Sequence, residues 1–306
     1  MEFELAIIGA GPAGYSASIY AGRSGIKTIT FDMMAGGGLA SSTPRIENYA
    51  GFMSISGFEL MENMQKQAGK YAQLQLLEEV QSIQKNNNMF TLVTSAQHYT
   101  CKAIILATGT RYRTLDIPGE TTFLGKGVSY CATCDGPFFK GKNVAVIGGG
   151  NTALIEAIFL KQVGCKNVTV IHRRDRVRAE HSYVQEAIDK GVNITYNTHV
   201  VQILGTQTVE ALELHNTLTD VKQIEPYDGV FVAIGEQPNN ALAKQMKIKL
   251  DDKGFIIVDK QQRTTVKALY AAGDITGGLR QIITAAAQGA VAALTSTEVL
   301  GKQYPY

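Results

Sequence analysis

The chain has 306 residues, 45% of them hydrophobic and 18% charged, which is enough apolar material for about two globular domains. Its formal net charge of +2 argues against a nucleic-acid-binding protein, because that class depends on extended basic surfaces. No apolar run approaches the roughly 18 residues of a membrane span, and the acidic start Met1–Glu4 is unlike a signal peptide. We therefore expect a cytoplasmic protein, in which four cysteines are not a disulfide framework.

Alternating strands and helices are predicted for the first part of the chain. Residues 3–9 are expected to form a buried strand that runs into a glycine turn, and the small side chains of 12–24 predict a tightly packed helix. Further along we predict a strand at 27–32, an amphipathic helix at 57–73, an antiparallel meander at 78–100 and a buried strand at 103–109.

The second part repeats this plan, with strands predicted at 142–148, 167–172 and 230–235 and a second meander at 200–225. A repeat of this length predicts two related Rossmann-like α/β domains, each a three-layer dinucleotide-binding fold. The tail holds a strand ending at Asp274 and an Ala-rich helix from about 281, and we expect it to complete the first domain. Pro and Gly punctuate two expected hinges, Leu115–Gly119 and Gly235–Asn239.

The first glycine loop, Gly9–Gly14, lies between a predicted strand and a predicted helix. Glycines there let the backbone approach a pyrophosphate, and the helix N-terminus supplies N–H donors and positive potential. Asp32, at the end of the next strand, is placed to accept hydrogen bonds from ribose hydroxyls, although a solvated strand end is the alternative. The predicted contacts are Gly9, Gly11, Pro12, Ala13, Gly14 and Asp32.

A flavin is favoured at this first site by the segment around Asp274. A buried strand that ends in Gly273 and Asp274 puts a carboxylate at a strand C-terminus, where α/β proteins bind ligands. The next helix begins near Arg280, and its dipole would stabilise negative charge on a reduced flavin. The alternative is that Asp274 only caps a turn. The predicted contacts are Gly273, Asp274, Arg280, Gln281 and Ile282.

The second glycine loop has the same context, but the following strand ends in arginines instead of an acid. Arginine side chains can hold a 2′-phosphate bidentately, so NADPH is favoured over NADH. A solvated basic loop is the alternative. The predicted contacts are Gly148, Gly150, Asn151, Thr152, Ala153, His172, Arg173, Arg174 and Arg178.

Cys131 and Cys134 form a C-x-x-C pair with Asp135 directly behind it. Half of a zinc site is the competing interpretation, but Cys101 and Cys165 are isolated and no second ligand pair exists, so we expect no metal. A redox disulfide is favoured because thiol–disulfide exchange needs an attacking and a resolving sulfur. Asp135 could carry a proton to the leaving thiolate, or it could be an ordinary loop residue.

Together these motifs resemble one family over nearly the whole chain, the low-molecular-weight thioredoxin reductases. The resemblance is carried by Gly9–Gly14, Glu47–Tyr49, Ala107–Gly109, Cys131–Asp135, Gly148–Ala153, residues 172–179, Gly273–Asp274 and Arg280–Gln281. It implies further cofactor contacts at Gly38, Leu39, Asn48, Ala107, Thr108, Gly109, Ile234 and Gly235. Two positions depart from the family pattern: Leu39 stands where the family has Gln, and Ile282 where it has Ala.

The resemblance implies a homodimer with tightly bound FAD, in which an FAD domain (1–115 and 241–306) is interrupted by an NADPH domain (116–240). Electrons would pass from NADPH through FAD to the Cys131–Cys134 disulfide and on to thioredoxin, with a rotation between the domains. Cys134 would face the flavin, Cys131 would attack thioredoxin, and Asp135 would be the acid/base.

Two alternatives stay open on the sequence. A related flavoprotein could serve another acceptor, such as a glutaredoxin-like protein or a peroxidase system. A non-catalytic NADPH-binding redox sensor would share the glycine loops and turn over no disulfide.

Overall fold

The computed structural model describes residues 1–43 and 45–302. The chain divides into two compact units. The discontinuous unit comprises Met1–Arg111 and the chain from Gln237 onwards, and the inserted unit comprises Tyr112–Glu236. These divisions fall a few residues before the expected boundaries at 115 and 240.

Helices and strands alternate along the chain, with two antiparallel meanders. In chain order they are β1 (Leu5–Ile8), α1 (Pro12–Arg23), β2 (Thr28–Asp32), α2 (Gly57–Ala68), β3 (Gln73–Leu76), β4 (Val80–Asn86), β5 (Met89–Thr94), β6 (His98–Cys101), β7 (Ala103–Leu106), β8 (Thr110–Tyr112), β9 (Val128–Ser129), α3 (Ala132–Asp135), β10 (Asn143–Gly148), α4 (Asn151–Gln162), β11 (Asn167–Ile171), α5 (His181–Asp189), β12 (Asn193–Thr195), β13 (Thr198–Gly205), β14 (Val209–Asn216), β15 (Lys222–Pro226), β16 (Gly229–Ala233), β17 (Glu236–Pro238), α6 (Ala241–Gln245), β18 (Leu269–Ala271) and α7 (Ile282–Leu300). Short 3-10 helices occupy Gly38–Ser42, Gly136–Phe139 and Asp274–Thr276.

The discontinuous unit is built on a five-stranded sheet in the order β18-β7-β1-β2-β3, with every pairing parallel. Leu5 and Ile7 of β1 face a cluster made with α1 and α7, whereas Ala6 and Ile8 face a cluster made with the β4-β5-β6 meander. Both faces of the sheet are therefore covered, which explains why its central strands are continuous aliphatic runs.

The inserted unit has the same plan, with a parallel sheet in the order β12-β11-β10-β16-β9. Val144 and Val146 of β10 pack with α4, and Ala145 and Ile147 pack with the β13-β14-β15 meander. The predicted fold class is confirmed: two Rossmann-like three-layer domains, one of them inserted in a discontinuous other.

The structure differs from the sequence prediction mainly at sheet edges. The helix predicted to reach residue 73 ends at Ala68, because Gln73–Leu76 form β3 and pair with β2. The edge strands β3 and β12 were not predicted, since both are short and neither is fully buried. The linkers also pair, as β8 with β17, in a two-stranded ribbon.

Among the described residues, one helix is long and apolar enough to cross a membrane by length and composition alone, contrary to the sequence expectation. It is α7, of 19 residues, and 44% of its apolar window is buried inside the protein. Its Ala285, Ala292 and Ala293 lie in the core of the discontinuous unit with α1. This packing explains its apolar composition as that of a core helix.

The contact between α7 and α1 depends on Gly289, where a Cβ would overlap the carbonyl oxygen of Ala13. Gly289→Ala is expected to lower the midpoint of thermal unfolding by about 5–10 °C, because the helices would have to separate. Circular dichroism during heating measures this. Ala287→Ser, at an exposed position of the same helix, should shift the midpoint by about 2 °C or less. Equal shifts in the two variants would contradict the packing argument.

Candidate active site

The glycines of the first loop fall into two classes. At Gly9 a Cβ would overlap the carbonyl oxygen of Ala107, and at Gly14 it would overlap that of Gly9, so these two glycines allow strand, turn and helix to pack. At Gly11 a Cβ would approach no described atom closer than 4.0 Å, the Cα of Gly38. The open space beside Gly11 is where a ligand's pyrophosphate can approach the backbone.

Asp32 holds the shape of this first loop. Its Oδ2 accepts from the Ala10 N–H at 2.7 Å, and its Oδ1 accepts from the Met34 N–H at 2.8 Å. Each carboxylate oxygen keeps a lone pair that could accept from another donor. The Asp32 side chain therefore hydrogen-bonds to the backbone of the loop, at the strand end where we predicted a ribose contact.

Long-range hydrogen bonds hold three other predicted flavin-site residues, Asn48, Gln281 and Thr108. Asn48 donates to the side chain of Gln281 at 3.1 Å, although 233 residues separate them. Thr108 donates to the Asn239 carbonyl at 2.8 Å, and Asn239 donates back to the Thr108 carbonyl at 2.8 Å.

The Gly273–Asp274 turn is held by Gln288, a residue that the sequence motifs did not point to. Its side-chain oxygen accepts from the Gly273 N–H at 2.8 Å. The start of α7 carries a capping box between Gln281 and Thr284. The remaining predicted residues lie on four separate segments: Pro12 and Ala13 in the first turn of α1, Gly38 and Leu39 in a 3-10 helix, Ala107 and Gly109 after β7, and Arg280 and Ile282 at the start of α7.

The side chain of His172 packs against the second glycine loop. This ring is buried, and its Nδ1 lies 2.8 Å from the Gly148 carbonyl oxygen, so Nδ1 carries the proton. A Cβ at Gly149 would overlap this ring, whereas at Gly150 it would meet nothing within 4 Å among the described residues. Gly150 is thus the counterpart of Gly11, with open space beside the backbone.

The arginine segment is tied to the same loop through its backbone. The N–H groups of Arg178 and Ala179 donate to the Gly149 carbonyl at 2.6 and 3.1 Å. The amide of Asn151 both donates to the Glu180 carboxylate and accepts from the Glu180 N–H, each at 2.8 Å.

The arginine side chains themselves are available to a ligand. Arg173, Arg174 and Arg178 are exposed, and within residues 1–43 and 45–302 none of these guanidinium groups forms an ion pair. The other predicted residues of this site lie close by, with Thr152 and Ala153 in the first turn of α4 and Ile234 and Gly235 directly after β16.

Cys131 and Cys134 form a disulfide, with their Cα atoms 5.3 Å apart. Cys131 caps α3, and its carbonyl oxygen accepts from the N–H groups of Cys134 and Asp135 at 3.2 and 3.1 Å. The sulfur of Cys131 lies 3.3 Å from the Thr133 hydroxyl. Both cysteines are partly exposed, whereas Cys101 and Cys165 are buried free thiols, with burial raising the pKa of Cys101 to about 12.

Asp135 follows Cys134 in the chain, and its carboxyl group is largely removed from water. Burial raises the pKa of this carboxyl above its usual range, and a hydrogen bond from Ser129 partly opposes that effect. Oδ1 is buried and has no hydrogen-bond partner in the described part of the chain. A carboxyl group in this environment keeps a proton to higher pH than an exposed one, as a general acid requires.

Sequence motifs missed a second buried acid, Glu120, close to the cysteines. Its carboxylate accepts from the Leu115 and Asp116 N–H groups at 2.9 Å each and from the Tyr130 hydroxyl at 2.7 Å. The Tyr130 ring stacks on Tyr112 with centroids 4.7 Å apart. This network holds the first expected hinge segment against the residue before Cys131.

Residues 3–289 match the protein family described as Pyridine nucleotide-disulphide oxidoreductase. The chain belongs to this family. It is 40% identical over 295 residues to the thioredoxin reductase of Treponema pallidum (strain Nichols), covering 95% of each chain. A crystal structure of thioredoxin reductase from Streptococcus pyogenes MGAS5005 matches with TM-score 0.93 and 37% identity, over 98% of both chains. The Lactococcus lactis enzyme in its FR conformation matches with TM-score 0.66 and 34% identity, over 98% of this chain and 99% of that one.

Pyridine nucleotide-disulphide oxidoreductases of the thioredoxin reductase type use FAD and NADPH, and this chain fits both. Each glycine loop has an open backbone position, at Gly11 and Gly150, and each following helix has no side-chain cap on its N-terminal N–H groups. Uncapped N–H groups at such a turn are donors for a pyrophosphate. No group of three or more His, Cys, Asp or Glu side chains suited to a metal occurs within 1–43 and 45–302.

A pair of substitutions separates the two classes of glycine. Gly150→Ala should raise the KM for NADPH by about tenfold with an unchanged thermal midpoint, since its Cβ would enter only the open space. Gly148→Ala should instead lower the thermal midpoint, because its Cβ would press on the Ala233 carbonyl and Ala153. Steady-state kinetics and thermal scans measure both effects. A wild-type KM for NADPH in Gly150→Ala would contradict the prediction that the pyrophosphate approaches the backbone at Gly150.

The arginines are expected to distinguish NADPH from NADH. Arg174→Ala should raise the KM for NADPH by about tenfold and leave the KM for NADH within about twofold, since only NADPH carries the 2′-phosphate. Arg176→Ala, which removes an exposed charge of the same segment, is the control and should leave both values close to wild type. Equal losses with the two coenzymes would contradict phosphate recognition.

Proposed function

We propose that this chain is an NADPH-dependent thioredoxin-disulfide reductase in which the Cys131–Cys134 disulfide is the redox centre. The observation that carries the proposal is the disulfide itself, partly exposed and backed by the protonatable carboxyl of Asp135. The family membership and the two nucleotide cradles support it. Bound FAD would supply the two-electron relay between the nicotinamide and this disulfide.

In the reduced state the two thiols have different tasks. Cys131, the first residue of the motif, would attack the acceptor disulfide, and Cys134 would then attack Cys131 to release the acceptor as a dithiol. Asp135 would protonate the leaving thiolate and recover its proton from Cys134. A buried carboxyl suits this role because burial raises its pKa, so it keeps its proton to higher pH than an exposed carboxyl does.

We assign FAD to the discontinuous unit and NADPH to the inserted unit, which correspond to the domains predicted from the sequence at 1–115 with 241–306 and at 116–240. The cofactor contacts are those predicted from the two glycine loops and their neighbours. One disulfide would have to serve both a flavin and a protein acceptor, so we also propose a rotation between the units. The spread of TM-scores among relatives of similar identity, from 0.66 to 0.93, supports more than one arrangement in the family.

Thioredoxin, or a thioredoxin-like protein, is the acceptor we propose, following the names of the relatives. A homodimer stays a prediction from the family resemblance, and a cytoplasmic location stays a prediction from the sequence. The redox-sensor alternative requires a chain without disulfide turnover, and it is distinguished from a reductase by the following titration.

Anaerobic titration of the flavin-loaded protein with NADPH should consume about two equivalents per flavin, because flavin and disulfide each take two electrons. Cys134→Ser should consume about one equivalent and lose thioredoxin turnover, while its flavin still bleaches. Absorbance of the flavin and insulin-coupled turnover of thioredoxin are the measurements.

The matched control is Cys165→Ala, which removes a buried thiol of the same unit that lies outside the motif. It should consume about two equivalents and retain turnover. If the wild-type protein consumed only about one equivalent of NADPH per flavin, the cysteines would lie outside the electron path and the proposal would be wrong.

A further inference from the structure

Ser129 is the last residue of β9 and lies two positions before Cys131. Its side chain is almost fully buried, at 3% exposure. The hydroxyl donates to Oδ2 of Asp135 at 2.6 Å and accepts from the N–H of Cys131 at 3.1 Å. A single hydroxyl thus connects the carboxyl group at one end of the redox motif with the backbone at its other end.

We propose that Ser129 is a positioning residue for thiol–disulfide exchange, holding Oδ2 of Asp135 so that Oδ1 carries the proton that is transferred. The inference rests on the proposed function and adds to it the residue that aims the acid. It concerns a serine outside the C-x-x-C-D motif, which no sequence pattern pointed to.

Among the described residues, Ser129 is the only side chain that hydrogen-bonds to the Asp135 carboxyl. Oδ1 of that carboxyl is buried and has no partner among them. Because an N–H only donates, the bond from Cys131 occupies a lone pair of Ser129 and leaves its hydrogen to be donated. Of the two acceptors within reach, Oδ2 of Asp135 at 2.6 Å is much closer than the Cys131 carbonyl oxygen at 3.4 Å. Ser129 in turn is fixed by the parallel pairing of β9 with β16, where it lies beside Phe231.

The exchange balances with this assignment. The Cys131 thiolate forms a bond to one acceptor sulfur, the acceptor's S–S bond breaks, and the leaving thiolate takes the proton from Oδ1 of Asp135. The Asp135 carboxylate then takes the Cys134 proton, and the Cys134 thiolate attacks Cys131. The Cys131–Cys134 disulfide forms, the mixed disulfide breaks, and the second acceptor thiolate is protonated by water.

Loss of the Ser129 hydroxyl should therefore slow only those reductions in which the leaving thiolate must receive a proton. Ser129→Ala is expected to slow reduction of an alkyl disulfide by about tenfold, which is less than loss of a complete general acid. An aromatic disulfide with a strongly acidic leaving thiol needs no proton, so its rate should stay within about twofold of wild type. The alkaline limb of the pH profile should move to higher pH, since the bond from Ser129 lowers the pKa of Asp135.

Stopped-flow oxidation of the dithiol form of the flavin-loaded protein measures these rates from pH 5 to 10, a range of about two pH units or more on either side of neutrality. Ser129→Thr keeps the hydroxyl, and its alkaline limb should lie at the same pH as that of the wild-type protein. Ser296→Ala removes a buried hydroxyl that bonds to the Ala293 carbonyl in α7, and it is the matched control with an unshifted limb. Equal slowing with both disulfides and an unshifted limb would overturn the proposal.

If Ser129→Ala lowers the stability of the protein, a double-mutant cycle with Asp135→Asn separates the role of the hydroxyl in catalysis from that loss of stability. Adding Ser129→Ala to Asp135→Asn should cost little further rate, because the serine acts through the carboxyl group; fully additive losses would contradict this. If the wild-type protein reduces no thioredoxin with NADPH, the proposed function fails. The role of Ser129 is still decided by the two small disulfides on chemically reduced protein, so the two failures are distinguishable.

Discussion

Both units depend on the close approach of backbone to backbone at a strand–turn–helix junction. Gly9, Gly14 and Gly148 have no room for a Cβ, because carbonyl oxygens of the turn or of a neighbouring strand occupy that space. Only with these contacts made can Gly11 and Gly150 present uncrowded N–H groups to a dinucleotide. Side chains from distant segments, such as Asp32 and His172, then hydrogen-bond to the turns and hold their shape.

The redox motif uses a different principle, since side chains rather than backbone perform the chemistry. It follows β9, an edge strand of the same sheet that carries the second glycine loop, so disulfide and arginines belong to one unit. The first glycine loop belongs to the other unit. In our proposal electrons therefore leave the inserted unit for the flavin and return to it, which makes the paired linkers β8 and β17 central to turnover.

Local patterns predicted the parts of the fold that are locally encoded. The aliphatic runs of β1, β7 and β10 are buried on both faces, and such runs are recognisable without tertiary information. The antiparallel meander predicted at 78–100 is formed by β4, β5 and β6. The helix at α2 was predicted too long because β3 alternates Gln with Leu and is only partly buried. An edge strand of that kind is specified by its pairing with β2.

The sequence by itself determined the two glycine loops, the cysteine pair and the arginine segment, because each depends on residues adjacent in the chain. Only the tertiary structure decided which distant groups support them. Asn48 meets Gln281, Gln288 holds the Gly273 turn, and Glu120 accepts from Tyr130. The physical reason is that these hydrogen bonds join single polar side chains across separate elements. Their partners depend on how strands and helices pack, and no spacing along the chain encodes that.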